Sequence, residues 1–387
     1  MLSTLAIENY RSLRHVVMPL SALTVITGPN GSGKSSVYRS LRLLAEASRN
    51  GAPAALAREG GFPGTLWAGP ETISRGMRSG EHPVQGTTRT GPVALRLGFA
   101  GDDFGYAIDF GLPQPSLSEF GRDPEIKAES VWSGATLRPS TLLTERRGPS
   151  VRIRDASGEW THHDHQLRSF DSMLSEFADP RVAPELIALR EQIRSWRFYD
   201  HFRTDATAPA RQAQVGTRTP VLAHDGADLA AALQTVRELG VAAELDAAVD
   251  RAFPGSRVQV ENRDGWFEVS MRQAGLLRPL AAAELSDGTL RYLLWVAALL
   301  SPRPPALLVL NEPETSLHPE LIEPLAGLVL AAAKNSQVVV VSHSARLIDA
   351  LSREGEPRLV ELRKDLGETV IDGQGMLDEP AWSWPKR

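Results

Sequence analysis

The sequence contains no cysteine. Disulfides and thiolate metal sites are therefore excluded, and the composition suits a reducing cytosol. Long apolar runs are missing too. The longest, Tyr292 to Leu300, is far too short to cross a bilayer. The N-terminus carries Glu8, Arg11 and Arg14 where a secretory leader needs an apolar core. These absences predict a cytoplasmic chain with no membrane partner. Neither sign of charge dominates. The formal net charge is −5, so any nucleic-acid contact has to come from a local basic patch. Sustained heptads are absent, which excludes an extended coiled coil. No internal repeat occurs. What is present is ordinary: 42% apolar and 23% charged residues over 387 positions. That length supports one large domain or two.

Two kinds of pattern alternate along the chain. Leu2 to Ile7 reads as a strand, and Ala22 to Thr27 as a buried strand ending at Gly28. Ser35 to Ala45 places Val37, Leu41, Leu44 and Ala45 at helical spacing. Asn50 to Pro92 is rich in Gly, Pro and Arg and reads as loop. Val93 to Phe110 predicts a hairpin turning at Gly101-Asp102-Asp103, and Thr141 to Trp160 another turning near Ala156-Ser157-Gly158. Pro184 to Trp196 and most of Asp225 to Phe253 read as helix, and Val258 to Met271 as a hairpin. The last third returns to strand–helix alternation, the signature of a parallel sheet. There Ala306 to Leu310 and Gln337 to Val341 are buried strands, and Leu290 to Leu300 is an apolar helix.

Gly28-Pro29-Asn30-Gly31-Ser32-Gly33-Lys34-Ser35 matches the phosphate-loop pattern in full, between a predicted strand and a predicted helix. Glycines let the backbone curl so that several N–H groups converge on one anion, and the helix adds the positive end of its dipole. Asn30, Gly31, Ser32, Gly33, Lys34, Ser35 and Ser36 are the expected ATP-binding residues. Lys34 would reach the β- and γ-phosphates, and the Ser35 hydroxyl would ligate Mg²⁺. Further on, Leu307 to Leu310 runs into Asn311-Glu312-Pro313-Glu314. In P-loop ATPases such a strand ends in a metal-holding aspartate. Glu312 is placed to accept a proton from an attacking water. Asn311 occupies the aspartate position and brings no negative charge to Mg²⁺, which predicts slow turnover or weak metal affinity.

Further motifs carry a family resemblance. Leu285-Ser286-Asp287-Gly288-Thr289-Leu290-Arg291 resembles the signature motif of ABC-type ATPases, in the variant of RecF/SMC-like bacterial ATPases with OLD-like ATPase domains. Asn311 to Pro319 is similar to their Walker B and D-loop, and Val341-Ser342-His343-Ser344 to their switch histidine. Asp225 to Ala230 and Ile7 to Leu13 also resemble segments of these proteins, whereas about 50 to 180 matches only loosely. The resemblance implies an α/β P-loop NTPase fold: an ABC/SMC-type head with an antiparallel β lobe and a helical insertion. It divides the chain into 1–165 (first ATPase lobe), 166–255 (helical arm) and 256–387 (second lobe with a tail). It further implies an ATP-dependent head-to-tail homodimer. Ser286 and Gly288 of one copy would face the γ-phosphate held by the other, and His343 would contact that phosphate or the water. Gln85 is a candidate for a Mg²⁺-contacting glutamine.

Other features are weaker. Thr161-His162-His163-Asp164-His165 lacks a second cluster and is not expected to bind metal. Arg146-Arg147 and Arg197 to Arg211 form a candidate DNA-facing patch. Three functions fit: a DNA-repair or genome-maintenance ATPase, a regulator of a bacterial defence or toxin–antitoxin system with a protein partner, and an ATP-binding module with negligible turnover. No acidic metal-binding nuclease segment is expected after residue 360.

Overall fold

The computed structural model describes residues 1–49, 51–83, 91–115, 117–155, 157–163, 166–177, 179–239, 242–375 and 377–387. Gln85, Ala156, Asp164 and His165 lie outside them. The chain opens with β1 (Leu2–Tyr10), β2 (Leu13–Pro19) and β3 (Leu23–Thr27). Helices α1 (Lys34–Ala47), α2 (Ala52–Arg58), α3 (Phe62–Thr65) and α4 (Arg75–Ser79) follow. Next come β4 (Leu95–Gly101), β5 (Phe104–Gly111), β6 (Glu125–Ser133), β7 (Leu142–Arg147), β8 (Ser150–Arg154) and β9 (Trp160–His163). Helices α5 (Met173–Glu176) and α6 (Pro184–Arg194) lead to β10 (Arg197–Tyr199) and β11 (Gln214–Val215). Then come α7 (Leu229–Glu238), α8 (Ala242–Ala252), β12 (Arg257–Arg263), β13 (Trp266–Arg272) and β14 (Leu280–Ala281). The last stretch is α9 (Asp287–Leu299), β15 (Leu307–Asn311), α10 (Ile322–Ala332), β16 (Gln337–Val341), α11 (Ala345–Glu354), β17 (Arg358–Asp365) and β18 (Glu368–Ile371).

Two compact units emerge. One comprises Met1–Ser21, Thr27–Ser195 and Val360–Arg387; the other comprises Ala22–Ile26 and Trp196–Leu359. The first is built on an eight-stranded antiparallel sheet in the order β2-β1-β4-β5-β6-β7-β8-β9. The hairpin β4–β5 forms as expected, with Leu95, Leu97, Phe99 and Phe110 buried. The expected Thr141 to Trp160 hairpin is instead a meander of three strands. Its extra turn falls at Gly148, whose φ of 55° is left-handed backbone that favours glycine. The Gly/Pro/Arg-rich stretch read as loop also holds the short helices α2 to α4.

Arg146 is a correction to the candidate DNA-facing patch. Its side chain is fully buried against Glu129 at 2.9 Å and bonds the carbonyls of Gly148, Arg168 and Asp171. A guanidinium whose donors are spent inside the protein cannot meet a phosphate.

The tail closes over the same sheet. Trp382 packs edge-on against Trp132 with ring centroids 5.6 Å apart, and Trp384 against Trp382 at 5.2 Å. Gly98 leaves room for this, because a Cβ there would collide with the Trp382 ring. Arg387 clamps the buried Asp109 carboxylate through Nε and Nη2, each at 2.8 Å.

The second unit holds a parallel sheet in the order β10-β15-β16-β3. Its central strands β15 and β16 are nearly continuous apolar runs, as strands covered on both faces must be. Val338, Val339, Val340, Leu307, Val309 and Leu310 are buried there. Helix α9 is buried along nearly its whole length, from Thr289 to Leu299, and apart from Arg291 and Thr289 the buried stretch is apolar or aromatic. An antiparallel sheet, β11-β13-β12 with β14 on β13, belongs to the same unit. The stretch Arg197 to Arg211, a candidate DNA-facing patch, starts with the strand β10, whose Tyr199 is buried in the core. Arg211 is a second correction to the DNA-facing patch. It is buried and donates to the carbonyls of Thr204, Ala282, Ala283 and Leu285 and to the Asp287 carboxylate.

Candidate functional site

The phosphate loop follows β3 directly. Gly28, Gly31 and Gly33 have φ values of 138°, 78° and 108°, backbone that side chains with a Cβ rarely adopt. Two of them are also held by close packing within the first unit. A Cβ on Gly28 would collide with the Leu362 carbonyl, and one on Gly33 with the Thr369 hydroxyl. Gly31 faces open space. Thr369 fixes the loop from below: its hydroxyl donates to the Ser32 carbonyl at 2.7 Å and meets the Ser12 hydroxyl at 2.8 Å.

Within this loop Lys34 is buried and its ammonium donates to the carbonyls of Gly28 at 2.6 Å and Pro29 at 3.0 Å. Asn30, Gly31 and Ser35 are exposed, and Ser36 is half-buried with its amide on the Gly33 carbonyl at 3.0 Å. Helix α1 begins at Lys34 with no side-chain cap and no acidic residue in its first turn. Its N-terminal amides and dipole thus suit an anion. The Ser32 hydroxyl is buried and has no hydrogen-bond partner among the described residues. These features fit a triphosphate, with Ser35 Oγ available to a divalent cation.

The second unit gathers the acidic strand end. β15 finishes at Asn311, and the Glu312 amide donates to the Val341 carbonyl of β16 at 2.7 Å. Glu312 then takes a φ of 48°, an uncommon conformation for a residue with a side chain. His343 Nδ1 lies 3.7 Å from Glu312 Oε1 and 3.8 Å from Glu314 Oε1. Glu314 is buried; its Oε1 accepts from Ser342 Oγ at 2.6 Å, and its Oε2 has no hydrogen-bond partner among the described residues. So Glu312, His343 and Asn311 are brought to neighbouring strand ends, with Glu312 and His343 partly exposed. Asn311 Nδ2 donates to Asp200 Oδ1 at 2.7 Å, where β10 ends. Among the described residues, no group of three or more His, Cys, Asp or Glu has the arrangement of a metal-holding cluster. A cation here would rest on fewer protein ligands, as Mg²⁺ commonly does with phosphate.

Ser286 sits at the start of α9, where its hydroxyl accepts from the Thr289 amide at 3.2 Å. Ser286 is exposed and Gly288 half-buried, with the Ser316 carbonyl nearest to it. Arg211 braces the turn before this helix end. Arg291, one turn on, donates to the carbonyls of Thr315 and Phe202 and to the Thr204 hydroxyl. Burial pulls the Arg291 guanidinium below its ordinary pKa. Sequence reasoning missed Asp200, Arg211 and Arg291 as parts of this architecture. Their partners lie 76 to 111 positions away or on main-chain carbonyls, which leave no local pattern.

Comparison with known proteins bears on the family and the fold. The family model described as "AAA domain, putative AbiEii toxin, Type IV TA system" matches residues 23–349. A curated relative, the OLD nuclease of Thermus scotoductus, is 43% identical over 44 residues, 11% of this chain. The match spans 8% of that protein's length. Among solved structures, an SMC head bound to the C-winged helix domain of ScpA aligns over 97% of this chain and 98% of its own. Its TM-score is 0.52 at 12% identity, a likeness of fold alone. The SMC head domain from Thermotoga maritima aligns over 96% of this chain and 97% of its own, at 15% identity and a TM-score of 0.44. The fold is thus that of a P-loop ATPase of the ABC/SMC head type.

Proposed function

The chain belongs to this AAA-domain family, and we propose that it binds and hydrolyses ATP as a head-to-tail pair of copies. The observation that carries the reading is the loop 28–35: three glycines in left-handed backbone, a lysine lodged on the carbonyls of Gly28 and Pro29, and an uncapped helix start. On binding, Lys34 exchanges those carbonyls for phosphate oxygens. Loop amides not already spent on the carbonyls of Pro29 and Gly33, as those of Ser32 and Ser36 are, donate to the same anion. Ser35 Oγ, and on the proposed reading Asn311 Oδ1, would serve as ligands to Mg²⁺, which would supply charge neutralisation on the phosphates. Glu312 takes the proton of the attacking water, and His343 beside it orients that water or the γ-phosphate. Ser286 and Gly288 of the second copy close over the nucleotide. Turnover is slow, because Asn311 is neutral. Mg²⁺-dependent turnover of the wild type against Asn311→Asp tests this last point; equal rates and equal Mg²⁺ midpoints would refute it.

Work on DNA, in double-strand-break repair or genome maintenance, is the cellular role we favour, supported by the SMC-head likeness only at the level of fold. The family's description, which refers to a toxin–antitoxin system, favours a second reading: a defence or toxin–antitoxin regulator acting with a protein partner. ATPase rates with single-stranded, double-stranded and end-bearing DNA at stated salt separate the two. Stimulation by any of them supports the first. No stimulation, with a partner protein co-purifying in fixed ratio, supports the second. No helix among the described residues is long and apolar enough to cross a membrane.

A further inference from the structure

Asn311 stands where the acidic strand would normally present a carboxylate, yet its amide is not free to turn. Its Nδ2 donates to Asp200 Oδ1 at 2.7 Å. A carboxylate only accepts hydrogen bonds, so it dictates which end of the amide faces it. The other end, Asn311 Oδ1, is therefore directed away from Asp200. That oxygen is buried and has no hydrogen-bond partner among the described residues. A buried acceptor left unpaired is costly unless something later uses it.

We infer that Asp200 is the positioning residue that makes Asn311 a usable ligand for the divalent cation. The reading rests on the ATPase proposal above and deepens it. Asp200 does two things. It fixes the amide so that a carbonyl oxygen, and not an NH₂ group, would be offered to a cation. Its negative charge also polarises the amide and raises electron density on Oδ1, because hydrogen bonds in sequence strengthen one another. Part of the polarity missing from β15 thus comes from one strand away, at the end of β10, while Asn311 itself stays neutral. The parallel pairing that sets Tyr199 opposite Leu310 brings the following residues, Asp200 and Asn311, side by side. This is the arrangement by which outer partners tune a metal ligand without touching the metal.

The test uses the full chain with Mn²⁺ in place of Mg²⁺ and a non-hydrolysable ATP analogue, read by electron paramagnetic resonance of the bound Mn²⁺. Asp200→Ala and Asp200→Asn should each weaken Mn²⁺ by about tenfold, the usual effect of removing an outer partner. Analogue binding without metal, read by fluorescence of a labelled nucleotide, should be unchanged and serves as the check that both variants fold. In an Asn311→Asp background the dependence should vanish or reverse. There Asp200 would face a second carboxylate, and Asp200→Ala should leave Mn²⁺ affinity equal or tighter. Two results would overturn the inference: wild-type Mn²⁺ affinity in both Asp200 variants, or the same tenfold loss in the Asn311→Asp background, which would mark a merely structural role. A wild type that binds neither analogue nor Mn²⁺ would overturn the ATPase reading itself. That outcome is distinct from one in which the wild type binds both and Asp200 is silent.

Discussion

Arg291 Nη1 donates to the Thr315 carbonyl at 2.8 Å, and so ties the helix that starts at Ser286 to the turn that follows Glu312. The same guanidinium holds the Phe202 carbonyl at 3.1 Å and the Thr204 hydroxyl at 3.2 Å through Nη2. The segment after β10, the start of α9 and the turn beyond β15 thus share one buried cation. Arg291→Met keeps the bulk and removes the donors. We expect a loss of about 2 kcal/mol in urea unfolding, the cost of buried acceptors left unpaired. ATP-dependent pairing should also fail while nucleotide binding at Lys34 persists. A wild-type urea midpoint would show that these bonds contribute nothing.

Lys34→Ala should abolish nucleotide binding. ATP at a hundredfold excess over its dissociation constant should stabilise the wild type by about 2.7 kcal/mol, through binding to the folded state only. Thermal unfolding with and without ATP measures this. The variant should show no shift, and a shift of wild-type size would remove the loop from the nucleotide site.

Glu312→Gln keeps the shape of the side chain and loses the base. ATP should then bind without being consumed, and the copies should accumulate as a pair. Light scattering at saturating ATP reads the mass; a monomer would count against head-to-tail closure.

In the first unit, Glu129 accepts from Arg146, the Tyr106 hydroxyl, the Ser172 hydroxyl and the Met173 amide. Burial, with the Glu129 charge adding to it, pushes the Tyr106 hydroxyl well above its ordinary pKa. Removing one member of a buried ion pair strands the other. Arg146→Met should cost about 3–5 kcal/mol, and Arg146→Met combined with Glu129→Gln clearly less than the sum of the two single changes. Strict additivity in denaturant unfolding would mean that the two residues do not interact.

Acid should loosen the segment before α9. Arg278 donates to both oxygens of Glu284, and the Ala281 amide adds a third bond, which together hold that carboxyl at about 2. The folded value lies below the ordinary 4.5, so the carboxylate's contribution is present above about pH 4.5 and is lost as pH falls toward 2. Carbon-13 NMR of the Glu284 carboxyl should show the low midpoint. Arg278→Ala should return it toward 4.5, and an unmoved midpoint would assign the depression elsewhere.

Some of this architecture was readable from residues alone. Strands β15 and β16 and helix α9 are largely apolar segments bounded by turn residues, and such segments are visible without partners. The glycine loop is a contiguous motif. Strand β10 was not legible, because three residues with an arginine at their head show no period. Strand β2, with Arg14 and His15 among its residues, pairs with β1 through main-chain bonds that its sequence does not advertise. Arg146 and Arg211 resembled surface charge because their partners are remote carboxylates and main-chain carbonyls. Asp200 was hidden for the same reason: only the β10–β15 register sets it beside Asn311.

The tryptophans of the tail also give the molecule separate optical reporters. Trp132, Trp382 and Trp384 form an edge-to-face series in the first unit, whereas Trp295 lies among Phe202 and Tyr199 in the second. Near-ultraviolet circular dichroism of Trp382→Phe against Trp295→Phe would therefore resolve the melting of one unit from that of the other. A nucleotide that tightens only one of them would declare itself in a single spectral band.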